Sequence, residues 1–424
     1  MIAEKVKYKE TGNEWVPQIP KHWEILKAKN VGYFEGSTVD KKINKYDKMV
    51  RIVNFMDIYG NETLEITDAI DFMKVSATEH QIKNLKVNIG DVVFTPSSEI
   101  REDIGQSAVV KFEANDLLFS YHVSRLKFTR EIQIDFKKYL FNNKPALKYF
   151  SKNCKGSTRK ILNRIDFKNL PIYLPPFEEQ KELADYLDTQ SIKINHFIQT
   201  KQRFIELLKE QRQSIIDEIL NPGQTGWIYL RLKNIVTVND ETIGEETDDN
   251  FILKYIDIGN VNSLGQIQSL QEMTFKTAPS RARRIVRNGD VIISTVRTYL
   301  KAITLITSEE TNLIASTGFA VLRPKSNVTS AFLNDVVHSS YFINSVTSNS
   351  YGVSYPAITA NALSRLEVAI PPTTKEQNKI VKHIQTETKT LDIAISKAER
   401  EIELIKEYRE AMIAEAVTGK MKIN

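Results

Sequence analysis

The chain has 424 residues, 41% of them hydrophobic and 26% charged, a formal net charge of +5 and a single cysteine. This is ordinary globular composition with room for two or three domains that each bury a core. The lone Cys154 excludes a disulfide framework and a cysteine-built zinc site. The first residues lack an apolar stretch of signal-peptide length, and no run of about 18 apolar residues occurs, so a cytoplasmic chain with no membrane partner is expected.

The charge is unevenly spread. Residues 1–176 carry 29 basic and 22 acidic side chains, whereas residues 221–372 carry 13 of each. Trp23-Glu-Ile-Leu-Lys-Ala-Lys-Asn-Val31 opens the first module, and Val50–Phe55 is β-branched and short, as a strand requires. Gly90-Asp91 reads as a turn that feeds the apolar run Val92–Phe94, a strand buried on both faces. Ser97, Ser98 and Arg101 lie just past it. Phe136–Phe150 has helical spacing. It lies within a tract, Lys137 to Lys168, that holds ten basic residues and one acid, Asp166, with Phe141, Tyr149, Phe150 and Phe167 interleaved. Within it, Lys155, Ser157, Thr158, Arg159 and Lys160 combine cations, hydroxyls and glycine-exposed backbone, the usual set for contacting phosphates. Arginine can in addition read guanine with two hydrogen bonds. A solvated helix face followed by a turn would give the same residues.

Leu170-Pro-Ile-Tyr-Leu-Pro-Pro176 then closes a strand, because proline fixes its own φ and biases the residue before it to extended geometry. Beyond it the pattern is helical for roughly 44 residues, or about 66 Å. The second half of the chain repeats the first. Trp227-Ile-Tyr-Leu-Arg-Leu-Lys-Asn-Ile235, Leu253–Ile258, Gly289-Asp-Val-Ile-Ile293, the helical spacing of Ser330–Ser345, Leu366-Glu-Val-Ala-Ile-Pro-Pro372 and a second long helical stretch follow in the same order. The period is that of a whole domain, too long for a solenoid. The expected organisation is a module over 1–176, a helix over 177–220, a second module over 221–372 and a helix over 373–424. The fold class is α+β: two similar, β-rich mixed modules and two long helices related by an internal pseudo-two-fold repeat.

The two helices share heptad columns. Leu187, Ile194, Lys201, Leu208 and Ile215 form one, and Ser191, Ile198, Ile205, Arg212 and Ile219 the other; shifted by about 197, Ile384, Leu391, Ala398, Ile405 and Met412 match the first, and Thr388, Ile395, Ile402, Arg409 and Ala416 the second. Each seam lacks a partner unless the helices pair. Antiparallel pairing would set the modules at opposite ends of a rod. At Lys201 the stem is expected to pack and the ammonium to reach solvent.

The second module decorates this frame differently. The stretch collinear with the basic loop, Gly352 to Ile358, holds Ser354 and Tyr355 but no cation; the basic residues are instead Arg281, Arg283, Arg284 and Arg287, then Arg297, Tyr299 and Lys301. No phosphate loop, dinucleotide cradle or His-Glu-x-x-His is present, and the six histidines lack metal-ligand spacing. Glu178, Glu179, Gln180, Glu376 and Gln377 occupy first helical turns, where carboxylates favour the helix dipole. Pro175-Pro176-Phe177 follows Leu174 rather than Asn or Asp, so it is no methyltransferase motif. An adaptor that binds only protein through its coiled coil remains an alternative, set against the basic tract.

Taken together, these residues resemble the specificity subunit of type I restriction–modification systems. The resemblance rests on Gly12-Asn-Glu-Trp-Val-Pro-Gln-Ile-Pro-Lys-His-Trp23, the two Pro-Pro…Glu-Gln helix starts, and the helix ends Leu208–Ile216 and Ile405–Ile413 with Ala416-Val-Thr-Gly-Lys420. It spans essentially the whole chain; the first helix departs from it by ending Ile219-Leu-Asn-Pro-Gly223. The resemblance implies a non-catalytic subunit whose two target-recognition modules each read half of a bipartite, asymmetric site in double-stranded DNA. It implies paired helices that act as spacer and as docking surface for two methyltransferase subunits, with restriction subunits joining them. S-adenosylmethionine, ATP and magnesium would then sit on those partners and no cofactor or metal on this chain.

Overall fold

The computed structural model describes residues 7–261, 265–268, 270–298, 301–352 and 355–421. The chain divides into two compact units. One comprises the chain up to Lys201 together with the segment from Arg400 onward; the other runs from Gln202 to Glu399. The boundaries differ from the four segments expected from sequence. The long helices are not units of their own, because each buries its apolar residues among those of the modules.

In the first unit a five-stranded sheet runs in the order Gly32–Gly36, Ser124–Phe128, Val92–Phe94, Ser107–Val110, Glu65–Ile66. A three-stranded sheet joins Leu117–Phe119, Lys48–Val53 and Met73–Ala77. The second unit repeats this with two four-stranded sheets. One is Val236–Val238, Phe319–Pro324, Val291–Ser294, Ile303–Leu305; the other is Gln271–Thr274, Ile252–Ile256, Leu313–Ser316, Ala282–Ile285. The strands after the Gly-Asp turns, Val92–Phe94 and Val291–Ser294, are buried throughout. Gly90 and Gly289 have φ of +83° and +89°, a region where a side chain is strained. The neighbouring Asp91 and Asp290 close these turns by accepting from the Asn88 N–H at 3.0 Å and the Arg287 N–H at 2.8 Å.

Both expected module helices are broken in two. Ile134–Phe141 gives way to Lys144–Asn153, where Asn143 caps the new helix by accepting from Ala146 N–H at 3.0 Å. Ser330–His338 gives way to Ser340–Ser348, where Ser339 caps by accepting from Phe342 N–H at 3.3 Å.

The central helix Phe177–Ile219 has 43 residues and the C-terminal helix Thr374–Val417 has 44. In the first unit Leu187, Ile194 and Ile198 pack in one core with Met412, Ile413, Ala416 and Val417. Arg409 donates to Asn195 Oδ1 at 2.9 Å, and Lys201 Nζ lies 2.6 Å from Glu401. In the second unit Arg212 pairs with Asp392 at 2.6 Å and Lys209 with Glu399 at 3.3 Å. In each unit one helix ascends as the other descends, so the segments pair antiparallel. Ile205, Ile384, Ile395 and Met412 are buried, and Leu208, Leu391, Ile402 and Ile405 half-buried. The last column drifts: Ile215 is half-buried, whereas Ile216 is buried among Leu220, Leu232 and Ile235. A straight helix turns away from a strict seven-residue repeat, and the module core takes over from the seam.

Two glutamines dismissed as dipole residues prove to be buried clamps. Gln180 accepts from Gln133 N–H at 3.0 Å and donates to Pro175 O at 2.9 Å. Gln377 accepts from Thr329 N–H at 2.9 Å and donates to Asn327 O at 3.0 Å. Gln133 and Thr329 are the N-cap residues of the module helices Ile134–Phe141 and Ser330–His338. Each long helix thus holds its own module by the start of that module's helix.

Candidate nucleic-acid interface

In the first module, residues 97–98 and 160–161 form a two-residue antiparallel ladder, with Lys160 opposite Ser98 and Ile161 opposite Ser97. Lys155 bridges back to Ile161, which leaves Gly156 to Arg159 as a protruding tip. Gly156 has φ of +111°, and a Cβ there would lie 2.1 Å from Arg159 O, so the tip closes only around glycine. Ser157, Thr158 and Arg159 are exposed. Arg159 Nε donates to Ser97 Oγ at 3.1 Å, which fixes the start of its guanidinium fork and leaves the fork's end free to turn outward.

The second module builds the same frame. Ile358 N–H donates to Thr295 O at 2.9 Å, as Leu162 N–H donates to Pro96 O at 2.8 Å. Val296 and Tyr351 both bridge to Ala357, and Gly352, at φ +116°, starts the tip. Arg297 takes Ser98's place, held at φ +50° by donating its N–H to Pro356 O at 2.8 Å. Its guanidinium lies 4.7 Å from the ring centre of Tyr355, which is 65% exposed. Tyr299 and Ser354 fall outside the described residues. The equivalent tip positions Arg159 and Tyr355 therefore meet neighbouring positions of the facing strand: Arg159 meets Ser97, and Tyr355 meets Arg297, which stands where the first module has Ser98.

Several residues marked from sequence do other work. Ser97 and Ser98 are buried; Ser98 Oγ accepts from Ile100 N–H at 3.2 Å, so the pair shapes the loops rather than facing outward. Arg101 donates to Ser151 O at 2.9 Å. The Lys160 ammonium donates to Gly156 O at 2.8 Å and Ser157 O at 2.6 Å, closing the tip from beneath. Lys155 is exposed.

The basic tract is only partly a surface. Lys137 is buried, donates to Gly90 O at 2.9 Å and lies 4.1 Å from the Phe128 ring centre; burial pushes its ammonium down to about 8. Lys138 is buried between Glu65 and Asp188, at 2.7 Å from each. Phe141, Phe150 and Phe167 are core residues, not stacking platforms.

In the second module Arg281 pairs with Asp257 at 2.9 Å, and Arg287 donates twice to Glu241 at 2.9 Å. Arg283 donates to Ala282 O at 3.0 Å and lies 4.9 Å from the Phe275 ring centre. Arg284 is half-buried with its Nε unpartnered among the described residues, and burial lowers its pKa. Much of that cluster is neutralised where it stands.

Two features lay beyond sequence reasoning. Tyr121 and His122 make a tilted ring contact with centres 3.8 Å apart, near enough to Arg159 for its charge to act on His122. Burial, then the positive charges of Lys41 and Arg159, lower the pKa of His122. The neutral ring presents one donor and one acceptor, the pair a base edge requires. Arginine locks also recur: buried Arg125 pairs with Glu35 and lies 3.5 Å from Asp91, and half-buried Arg323 binds Asp290 through Nε and Nη2, both at 2.9 Å. In each module an arginine from the neighbouring strand thus locks the Gly-Asp turn behind the loops.

Comparison with known proteins points the same way. The sequence profile described as "Type I restriction modification DNA specificity domain" matches residues 20–207 and again 224–404. Two proteins of Methanocaldococcus jannaschii named as type I restriction enzyme specificity subunits are similar over nearly their full lengths. The MjaX protein is 22% identical across 96% of both chains. The MjaVIII protein is 20% identical across 96% of this chain and 94% of its own. A chain solved in a study of complex assembly and conformational transition of the type I R-M system shares the fold. Its TM-score is 0.63 at 17% identity, covering 95% of this chain and 99% of the other. No helix among the described residues is long and apolar enough to cross a membrane.

Proposed function

This chain belongs to the type I restriction-modification DNA specificity family, and from that premise we propose that its two loop pairs are the elements that read the two half-sites. It is a DNA-binding specificity subunit that recognises a bipartite, asymmetric site and directs methyltransferase and restriction subunits there; such subunits are not themselves catalytic. The adaptor that binds only protein is thereby set aside. The observation that carries the assignment is the repeat at the tips: one backbone frame, 96–98 with 155–162 and, among the described residues, 295–297 with 351–352 and 355–358, holds different side chains. Backbone identity suits a common approach to the duplex, and side-chain difference suits different base edges. Arg159 would read the first half-site with Tyr121 and His122 beside it, and Arg297 with Tyr355 the second.

The paired helices would carry two methyltransferase subunits, which restriction subunits join. S-adenosylmethionine, ATP and magnesium would be bound by those partners, and the assembly would methylate adenine and cleave unmodified DNA. The exposed apolar residues Ile192, Phe197, Leu207, Leu404 and Tyr408 support this, since long helices seldom expose so many unless a partner covers them.

The test is methylome sequencing of cells that express Arg159→Ala with the partner methyltransferase. Relaxed or altered bases confined to one half-site are expected, at a cost of about 1–3 kcal/mol in discrimination. An unchanged motif, or a change in both half-sites together, would refute the assignment.

A further inference from the structure

The two modules differ in the charge of one connection. In the first, the loop between the strands Gly32–Gly36 and Lys48–Val53 carries Lys41, Lys42 and Lys45, all exposed. In the second, the loop between Val236–Val238 and Ile252–Ile256 carries Glu245, Glu246, Asp248 and Asp249, also exposed. These loops are equivalent. Lys48–Val53 runs parallel to Leu117–Phe119, and Ile252–Ile256 runs parallel to Leu313–Ser316. Insertions of different length hide the match from a simple alignment.

The first loop springs from beside the candidate reading face, and the second from beside the arginine strand Ala282–Ile285. In the first module Val39 bridges to Ser120 and accepts from Tyr121 N–H at 3.1 Å, so the lysines follow directly from the Tyr121–His122 pair. In the second, Thr242 bridges to Arg284 and Ile243 N–H donates to Arg283 O at 2.9 Å, so the carboxylates follow the arginine strand. The ammonium groups of Lys41 and Lys45 have no ion-pair partner among the described residues, and Lys42 meets only Asp40, at 3.4 Å. Among the described residues, only Asp249 of the four carboxylates has an ion pair, with Lys276 at 3.2 Å.

We propose that the modules divide the work of binding: the lysine loop of the first grips phosphates irrespective of sequence, while the acidic loop of the second holds the backbone off and leaves that module to bind through base contacts. The inference rests on the reading of both modules as DNA-binding. On it, the first module supplies most of the non-specific affinity and captures the duplex before the second half-site is tested. A mismatched second half-site then releases DNA that was never strongly held there.

The experiment measures equilibrium binding of the assembled complex to non-specific and specific duplexes between 50 and 200 mM salt. Each phosphate contact contributes about 0.9 to the slope of log affinity against log salt, so replacing Lys41, Lys42 and Lys45 with Gln should flatten it by about 2.7. The loss in affinity should be about 40-fold larger at 50 than at 200 mM, equally on both duplexes, with the methylated sequence unchanged. Replacing Glu245 and Glu246 with Gln and Asp248 and Asp249 with Asn should raise non-specific affinity at 50 mM, and the gain should fade at 200 mM as screening shortens to several ångströms. An unchanged slope in the lysine variant, or unchanged affinity in the acidic-loop variant, overturns the division of labour. A lysine variant with an altered methylated sequence overturns it too, because the loop would then read bases. Failure of the tip assignment appears separately, as an Arg159→Ala motif that does not change.

Discussion

Replacing Gln377 with Leu removes one clamp while nearly keeping its volume. Gln377 is fully buried, and its carboxamide satisfies Thr329 N–H at 2.9 Å, Asn327 O at 3.0 Å and, more weakly, Pro371 O at 3.4 Å. Leucine strands one buried donor and at least one buried acceptor, each worth about 1–3 kcal/mol, so a loss of about 2–5 kcal/mol is expected. For a unit of this size each kcal/mol lowers the melting temperature by roughly 2–4 °C, which predicts a fall of about 4–20 °C. The assay is calorimetry of the full chain, where two compact units permit separate transitions. Gln377→Leu should lower one transition and Gln180→Leu the other. Gln377→Glu keeps the acceptor for Thr329 but loses the donor to Asn327 and buries a charge. Its carboxyl pKa is raised in the fold, so its stability should be greatest at low pH and fall as pH rises through that value. A Leu variant that melts within about 1 °C of the parent would refute the claim that these bonds hold the module to its helix.

Seam substitutions should follow burial: Ile205→Asp, at a buried position, should abolish co-purification with the methyltransferase partner, whereas half-buried Ile402→Asp should weaken it less. Equal loss from both would mean the seam is not graded this way. Burial, opposed by Arg212 and a bond with Asn334, raises Asp335 to about 6, so its contribution is fully present below about pH 4 and is lost as pH rises to about 6. Asp335→Asn should therefore stabilise the chain by about 1–2 kcal/mol at pH 8, discounted for partial exposure, and by almost nothing at pH 4; urea titrations at the two pH values check this. No gain at pH 8 would show the carboxylate to be well solvated.

The frame was legible because it depends on local rules repeated twice. Gly-Asp before an apolar run, Pro-Pro before a helix and heptad columns are short-range signals, and the second copy reinforced each one. What misled was position on an element that linear counting cannot see. Ten basic residues between Lys137 and Lys168 look like one electropositive surface. Yet the helix Ile134–Phe141 packs into the core over most of its surface, so Lys137 and Lys138 point inward and find a carbonyl and two carboxylates. Glu-Gln at a helix start reads the same whether exposed or buried. Only the fold brings the N–H groups of Gln133 and Thr329 to those glutamines.

Residues of the candidate tips stood out in the sequence, but their partners did not. Arg159 meets Ser97 across a ladder of only two residue pairs, and Arg297 meets Tyr355 where propensity has nothing to say. A site that must change its partner while its scaffold stays fixed is best built on such joints. Their geometry comes from turn glycines and backbone bonds, as at Gly156 and Gly352, so tip side chains can be exchanged with little effect on stability. The Arg125–Asp91 and Arg323–Asp290 pairs, in which both aspartates are buried, lock the frame from behind and cannot vary so freely. Specificity and stability are thus carried by different residues of each module, which is why the repeat is plain in its strands and helices and nearly absent from its tips.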